Sequence, residues 1–184
     1  MPDKRPILYT IGHSTRSFDE LVEILHAHGS KAVADVRTIP KSRRLPHFNA
    51  DFLARELPRR DIEYLPFKQL GGLRHTTKDS PNTAWRNESF RGYADFMQTP
   101  AFETGLEELM NAARDRRTAT MCAEAVPWRC HRSLISDGLV ARGWRVLDIM
   151  SATKTAEHAI TKFAKVSGTR VTYPGEEGTL FEMR

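Results

Sequence analysis

Long apolar runs are what the sequence most clearly lacks. No stretch of about 18 apolar residues is present, which excludes a membrane-spanning helix, and the first residues, MPDKRPILYTIG, contain no apolar segment long enough for a secretory signal. Cysteine is also scarce, with two in 184 residues. We therefore expect a cytoplasmic protein without a membrane partner, in which both cysteines are reduced thiols.

The composition lacks a strong bias. Hydrophobic residues make up 40% of the chain and charged residues 28%, which excludes an intrinsically disordered or a membranous protein. The formal net charge of +5 favours anionic partners, either a phosphate-bearing small molecule or nucleic acid. A solvated basic surface is consistent with the same charge. The oligomeric state does not follow from the composition.

Strand-like and helix-like patterns alternate along the chain. An apolar run at 7–12 predicts a first strand, Ser17 and Glu20 form a capping box for the following helix, and Gly29 ends that helix. Further strands are predicted at 31–37, 62–67, 118–123 and 145–150. Further helices are predicted at 50–57 behind Asn49, at 90–97, at 100–110 and at 128–142, and the tail adds a helix near 158–165 and a short strand at 179–182.

This alternation predicts one α/β domain over 1–184, with a mostly parallel central sheet of about five strands flanked by helices in a Rossmann-like three-layer arrangement. Such sheets bind ligands at the carboxyl ends of their strands. The predicted strand ends carry polar or backbone-permissive segments: GHST (12–15), DVR (35–37), LGGLR (70–74) and CAE (122–124). We therefore expect these segments to meet in one cleft.

The segment CAEAVPWRCHR (122–132) contains both cysteines. Pro127 is suited to the first turn of a helix, which would place Cys130 and His131 near the positive end of the helix dipole. A thiol in that field, beside an arginine, has a lowered pKa. Glu124 falls on the same side of an extended chain as Cys122, so a thiol and an acid or base are expected side by side.

Two other interpretations of this segment stay open. Free cysteines are often buried as small hydrophobic residues. Cys122, Cys130 and His131 are also acceptable zinc ligands, with His13 or Asp35 to complete the set. The spacing matches no familiar zinc pattern, and neighbouring residues on a helix point about 100° apart. We therefore predict neither a metal nor another cofactor.

The segments after the first two strands supply further candidates. His13 is not needed to cap the next helix and is expected in the cleft. The hydroxyl of Ser14 either binds a ligand or caps that helix. Asp35 and Arg37 share one face of a strand. Arg37 therefore holds an anion, or the two residues close the strand as an internal ion pair.

Basic residues and glycines in the two long loops complete the candidate binding set. Arg43 belongs to the basic loop PKSRRLPHFN, which could meet nucleic-acid phosphates or be a solvated loop. Gly71, Gly72 and Arg74 combine a permissive backbone with a guanidinium, or form a simple turn.

Taken in order, five segments resemble the domain of unknown function 488 family: YTIGHSTRSFDELVEIL, VADVRTIPKSRRLPHFN, YLPFKQLGGLR, FRGYADFMQTPAFETGLEELM and CAEAVPWRCHRSLISDGLVARGW. The resemblance implies a compact α/β core over 7–150, a C-terminal extension over 151–184 and a shared pocket, and it carries no particular activity. The motif residues matched here are His13, Ser14, Asp35, Arg37, Ser42, Arg43, Gly71, Gly72, Arg74, Tyr93, Cys122, Glu124, Cys130, His131 and Arg132.

The leading hypothesis is an enzyme with a cleft for a small anionic ligand such as a phosphorylated metabolite or nucleotide. The predicted catalytic residues are Cys122, Glu124, Cys130, His131 and His13, and the predicted ligand-binding residues are Ser14, Asp35, Arg37, Arg43, Gly71, Gly72, Arg74, Tyr93 and Arg132. The alternatives are a nucleic-acid-binding protein and a protein that binds a metal through its cysteines and histidines.

Overall fold

A computed structural model of the chain describes residues 1–176, so the strand predicted at 179–182 lies outside the described residues. The strands are β1 (Ile7–Gly12), β2 (Ala32–Asp35), β3 (Glu63–Pro66), β4 (Thr118–Cys122), β5 (Arg145–Ile149), β6 (Thr155–Glu157), β7 (Lys165–Ser167) and β8 (Arg170–Thr172). The α-helices are α1 (Phe18–Ala27), α2 (Ala50–Glu56), α3 (Glu88–Phe96), α4 (Pro100–Asp115) and α5 (Arg132–Val140).

Six strands form the central sheet in the order β3-β2-β4-β1-β5-β6. Five of them are parallel, and β6 is antiparallel at the edge beside β5. Successive residues of β1 face opposite sides, since Leu8 belongs to one buried cluster and Tyr9 and Ile11 to another. Side chains of α1 and α2 complete the second cluster, and those of α3, α4 and α5 the first. The predicted three-layer α/β fold is therefore confirmed.

The strand order also determines where a ligand cleft forms. From β1 the chain runs through β2 to β3 at one edge of the sheet, and the helices of this half, α1 and α2, cover one face. It then returns through β4 to β5, and α3, α4 and α5 cover the opposite face. The neighbours β2 and β4 are thus followed by connections that leave in opposite directions. A crevice opens outside the carboxyl ends of such a pair.

The helix predicted at 128–142 begins later than expected. Pro127–Arg129 forms a separate 3-10 turn, closed by a hydrogen bond from the Cys130 amide to the Pro127 carbonyl. The backbone of Cys130 is extended (φ −138°, ψ 149°), and α5 starts at Arg132. Cys130 and His131 therefore precede the helix, because the short turn ends before helical hydrogen bonding can begin.

Asn49 precedes α2 as predicted, but its side chain does not cap that helix. Its amide oxygen instead accepts a hydrogen bond from the Ser42 amide at 2.6 Å, which fixes the loop after β2.

The prediction of a helix near 158–165 is wrong. This part of the chain follows β6, which pairs with the open edge of β5, and the hairpin β7–β8 turns at Gly168, whose φ is +62°. Tyr173 is fully buried, and its hydroxyl donates to Asp137 of α5 at 2.7 Å. The extension is thus packed against the core. Among residues 1–176 no helix has the length and apolar character needed to cross a bilayer.

Candidate functional site

A cleft of about 530 Å³ opens at the carboxyl ends of β2 and β4. Residues from both strand ends, from the loop after β3, from the start of α3 and from the turn before α5 line it. They are Arg37, Thr38, Ile39, Gly72, Leu73, Asn87, Ser89, Phe90, Cys122, Ala123, Glu124, Arg129, Cys130 and His131. Six of the predicted site residues thus share one cavity: Arg37, Gly72, Cys122, Glu124, Cys130 and His131.

The segments that follow β1 and β4 run side by side. The amide of His13 donates to the Cys122 carbonyl at 2.9 Å, and the amide of Ser14 donates to the Ala123 carbonyl at 3.0 Å. A Cβ on Gly12 would lie 1.6 Å from the Glu124 carbonyl oxygen, so only glycine fits between the two segments. This close approach of the two segments fixes the position of the backbone at Cys122.

Cys122 is held by Arg132 from the first turn of α5. The guanidinium donates from Nε to Cys122 Sγ at 2.9 Å, from Nη1 to Thr10 Oγ1 at 2.6 Å and from Nη2 to the Glu124 carbonyl at 2.8 Å. Arg132 is 1% exposed and Cys122 2% exposed. Arg132 therefore lies behind the cleft and directs its charge at the thiol, not at open solvent.

This environment changes the acidity of Cys122. Burial alone raises the pKa of a thiol, but the hydrogen bond from Cys130 and the charge of Arg132 outweigh it and lower the pKa of Cys122 to about 7. The sequence predicts a lowered pKa for Cys130, and this prediction is wrong, since its interaction with Cys122 and its burial raise its pKa. At pH 7 about half of Cys122 is therefore thiolate, whereas Cys130 stays a neutral thiol.

His131 is fixed beside Cys130. Its Nε2 donates to the Val36 carbonyl at 2.7 Å, which leaves Nδ1 as an acceptor, 3.5 Å from Cys130 Sγ. Burial lowers the pKa of His131 to about 4, so the ring is neutral at pH 7. Gly72 covers the ring closely, because a Cβ there would lie 2.6 Å from Nδ1.

Arg37 is paired internally, as one of the two interpretations of DVR predicts. Its guanidinium makes a bidentate contact with Asp35 at 2.8 and 2.7 Å and donates to the Phe48 carbonyl at 2.6 Å. His13 stacks on the Phe48 ring and lies 3.4 Å from Arg37 Nη1, and burial lowers the pKa of His13 to about 4. His13 and Asp35 thus lie behind Arg37, which alone of the three lines the cleft.

The other predicted residues lie around the cleft. Tyr93 is buried beneath His131, with its hydroxyl on the Leu70 carbonyl, and Gly71 is packed against Thr38. Arg74 donates to the carbonyls of the loop 69–71 and covers the Phe96 ring. Arg43 is exposed in the loop after β2, outside the cleft.

The sequence reasoning left out several residues that line the cleft. Arg129 is exposed, and within residues 1–176 its side chain has no ion-pair partner. Ile39 and Leu73 form an exposed apolar rim, 66% and 68% exposed. Asn87 and Ser89 come from the start of α3, where Asn87 caps the helix. Only the position of Arg129, beside Cys130 in the sequence, was a usable signal.

The described part of the chain offers little to a metal ion. Within it no three side chains of histidine, cysteine, aspartate or glutamate converge on one point. His131 Nε2 is occupied by the Val36 carbonyl, and His13 is turned toward Arg37.

Comparison with known protein families places most of the chain in one of them. The model of a family described as a domain of unknown function, DUF488, matches residues 17–139, more than half of the chain. The matched region includes β2 to β4, the cleft and α5 up to Leu139. Neither the curated proteins nor the solved structures contain a significant match.

Proposed function

The chain belongs to the DUF488 family of proteins, and from its cleft we propose that it is an enzyme in which the Cys122 thiolate attacks a small anionic substrate. The cleft supports this proposal because it combines a nucleophile, an acid or base and cationic groups within one cavity. The description of the family names no activity, so the proposal rests on the side chains.

The observation that carries the proposal is the burial of Arg132. Within residues 1–176 no carboxylate forms an ion pair with its guanidinium. A buried charge without a counter-charge is strongly unfavourable. Among residues 1–176, Cys122 Sγ is the one ionisable group that accepts a hydrogen bond from Arg132. The Asp148 carboxyl lies in the field of the same charge without such a bond, and burial raises its pKa. These contacts support the Cys122 thiolate as the counter-ion in direct contact with Arg132.

The proposed roles of the other residues follow from their positions. Arg129, exposed on the cleft wall, attracts the substrate anion, and Arg37 adds a guanidinium edge although Asp35 neutralises much of its charge. Glu124 is exposed in the cleft and serves as the acid or base. His131 positions Cys130.

Two alkylating reagents that differ in charge test this proposal. Cys122 should react faster with iodoacetate, an anion, than with neutral iodoacetamide, relative to the same ratio for the unfolded chain. Arg129→Ala should lower this preference about threefold, because one partly exposed charge contributes about 0.2–1 kcal/mol. A protease that cuts after glutamate cleaves at Glu124, between the two cysteines, in the wild type and in the variants, so mass spectrometry measures each thiol by itself.

Arg43→Ala is the matched control, because Arg43 is an exposed arginine outside the cleft. It should leave the preference for iodoacetate unchanged. Equal effects of the two variants would mean that general surface charge, not the cleft, attracts the anion. A Cys122 that reacts no faster than an unfolded thiol would contradict the proposed nucleophile.

A further inference from the structure

The cleft contains a second sulfur that the proposed nucleophile does not need. Cys130 is 6% exposed and lines the same cavity as Cys122. Cys130 belongs to the buried cluster beneath the cleft, but its Sγ also has a polar neighbour, the imidazole Nδ1 of His131 at 3.5 Å.

From this arrangement we propose that Cys122 and Cys130 form a dithiol that reduces small anionic disulfides, with Cys122 as the attacking thiolate and Cys130 as the resolving thiol. The inference rests on the proposed function, because it keeps Cys122 as the nucleophile. It adds the reaction class and the substrate class.

The first step is thiol–disulfide exchange on the substrate RS–SR′. The Cys122 thiolate attacks one sulfur, a Cys122–SR bond forms, the RS–SR′ bond breaks, and R′S⁻ leaves with the electron pair. Arg132 donates to Cys122 Sγ from behind at 2.9 Å and leaves the side of the cleft open to the substrate. The cationic wall at Arg129 favours a substrate with carboxylate groups.

The second step uses the neighbouring thiol. Once Cys122 carries the SR group, Cys130 Sγ attacks Cys122 Sγ, the Cys122–Cys130 bond forms, and RS⁻ leaves and takes up the proton of the Cys130 thiol. The sum is one dithiol and one disulfide converted to one protein disulfide and two thiols. His131 is a positioning residue here, since its Nδ1 accepts from Cys130 and its Nε2 is held by the Val36 carbonyl.

The chain itself allows a direct test, because trypsin cuts between the two cysteines, after Arg129. Reduced protein is mixed with glutathione disulfide, an anionic disulfide, and quenched with acid at intervals before digestion. The wild-type protein should pass through a glutathione adduct on fragment 118–129 and end with fragments 118–129 and 130–132 joined by a disulfide. Cys130→Ser should stop at the adduct. Cystamine, a cationic disulfide, should react several-fold more slowly than glutathione disulfide.

The outcomes separate this inference from the proposed function on which it rests. A wild-type protein that keeps a stable glutathione adduct on Cys122, as Cys130→Ser does, would overturn the resolving role and leave the reactive thiolate intact. Absence of any adduct on Cys122 in both proteins would overturn both proposals. His131→Asn should lower the rate of conversion to the disulfide relative to the rate of adduct formation; an unchanged ratio of these two rates would remove the positioning role.

Discussion

Replacing Cys122 with alanine should destabilise the protein by about 3 kcal/mol or more at pH 9, because removing one partner of a buried charge pair leaves the other uncompensated. Arg132 cannot lose its proton, and its guanidinium is buried with Cys122 Sγ at 2.9 Å. Cys130→Ala is the matched control, since it removes an equally buried but neutral thiol and should cost about 1–2 kcal/mol. Urea unfolding monitored by circular dichroism measures both.

The pH dependence of this difference has a definite sign. The pKa of Cys122 lies near 7 in the folded protein and at 9.0 ordinarily, so between these values the unfolded chain binds more protons than the folded one. The stability contributed by Cys122 therefore rises with pH from 7 to 9, and it is lost as the pH falls through about 7. Equal losses for Cys122→Ala and Cys130→Ala at pH 9 would contradict the charge pair.

Replacing Arg132 with methionine should slow the alkylation of Cys122 by iodoacetamide about five- to eightfold at pH 7. Without the guanidinium the pKa of Cys122 rises toward its ordinary value of 9.0, at which about a hundredth of the thiol is ionised at pH 7 instead of about half. The remaining thiolate is intrinsically more nucleophilic, which offsets part of that loss. The rate is read on fragment 109–124, which a glutamate-specific protease releases from the wild type and from every variant compared.

Arg129→Met provides the matched control for this substitution. Arg129 lines the cleft without donating a hydrogen bond to Cys122, so its loss should change the rate with the neutral reagent little. Arg132→Lys keeps a cation in place and should retain a faster reaction than Arg132→Met. If Arg129→Met and Arg132→Met slowed the reaction equally, the direct contact between Arg132 and Cys122 would have no special role.

The sequence predicts the layers of this fold well, because the signals that start and end its strands and helices come from residues close together in the chain. The apolar runs at β1 and β4, the capping box of Ser17 and Glu20, and the glycine after α1 each act through neighbours in the chain. The tail is different. Its strand β6 forms because the edge of β5 is open, and this condition exists only once the sheet is assembled.

The site likewise has features that the sequence predicts and features that depend on the assembled fold. The rule that ligands bind at strand ends predicts that Cys122, Glu124 and Arg37 share a cleft, and they do. The sequence predicts an arginine beside a thiol in this segment, but it assigns that effect to Cys130. Arg132 contacts Cys122 instead, because of where Thr10 and the Glu124 carbonyl lie in three dimensions. An arginine expected to meet a ligand instead meets the thiol, and the exposed Arg129 occupies the cleft wall.

The most direct test of this account is the ionisation of Cys122 in the native protein. The rate of iodoacetamide labelling, followed separately on fragments 118–129 and 130–132 as a function of pH, yields the two thiol pKa values in one unmodified chain. A midpoint near 7 for Cys122, with Cys130 unreactive until well above pH 9, is the predicted result. A midpoint at or above 9 for Cys122 would mean that Arg132 does not hold a thiolate, and the proposed chemistry of the cleft would be wrong.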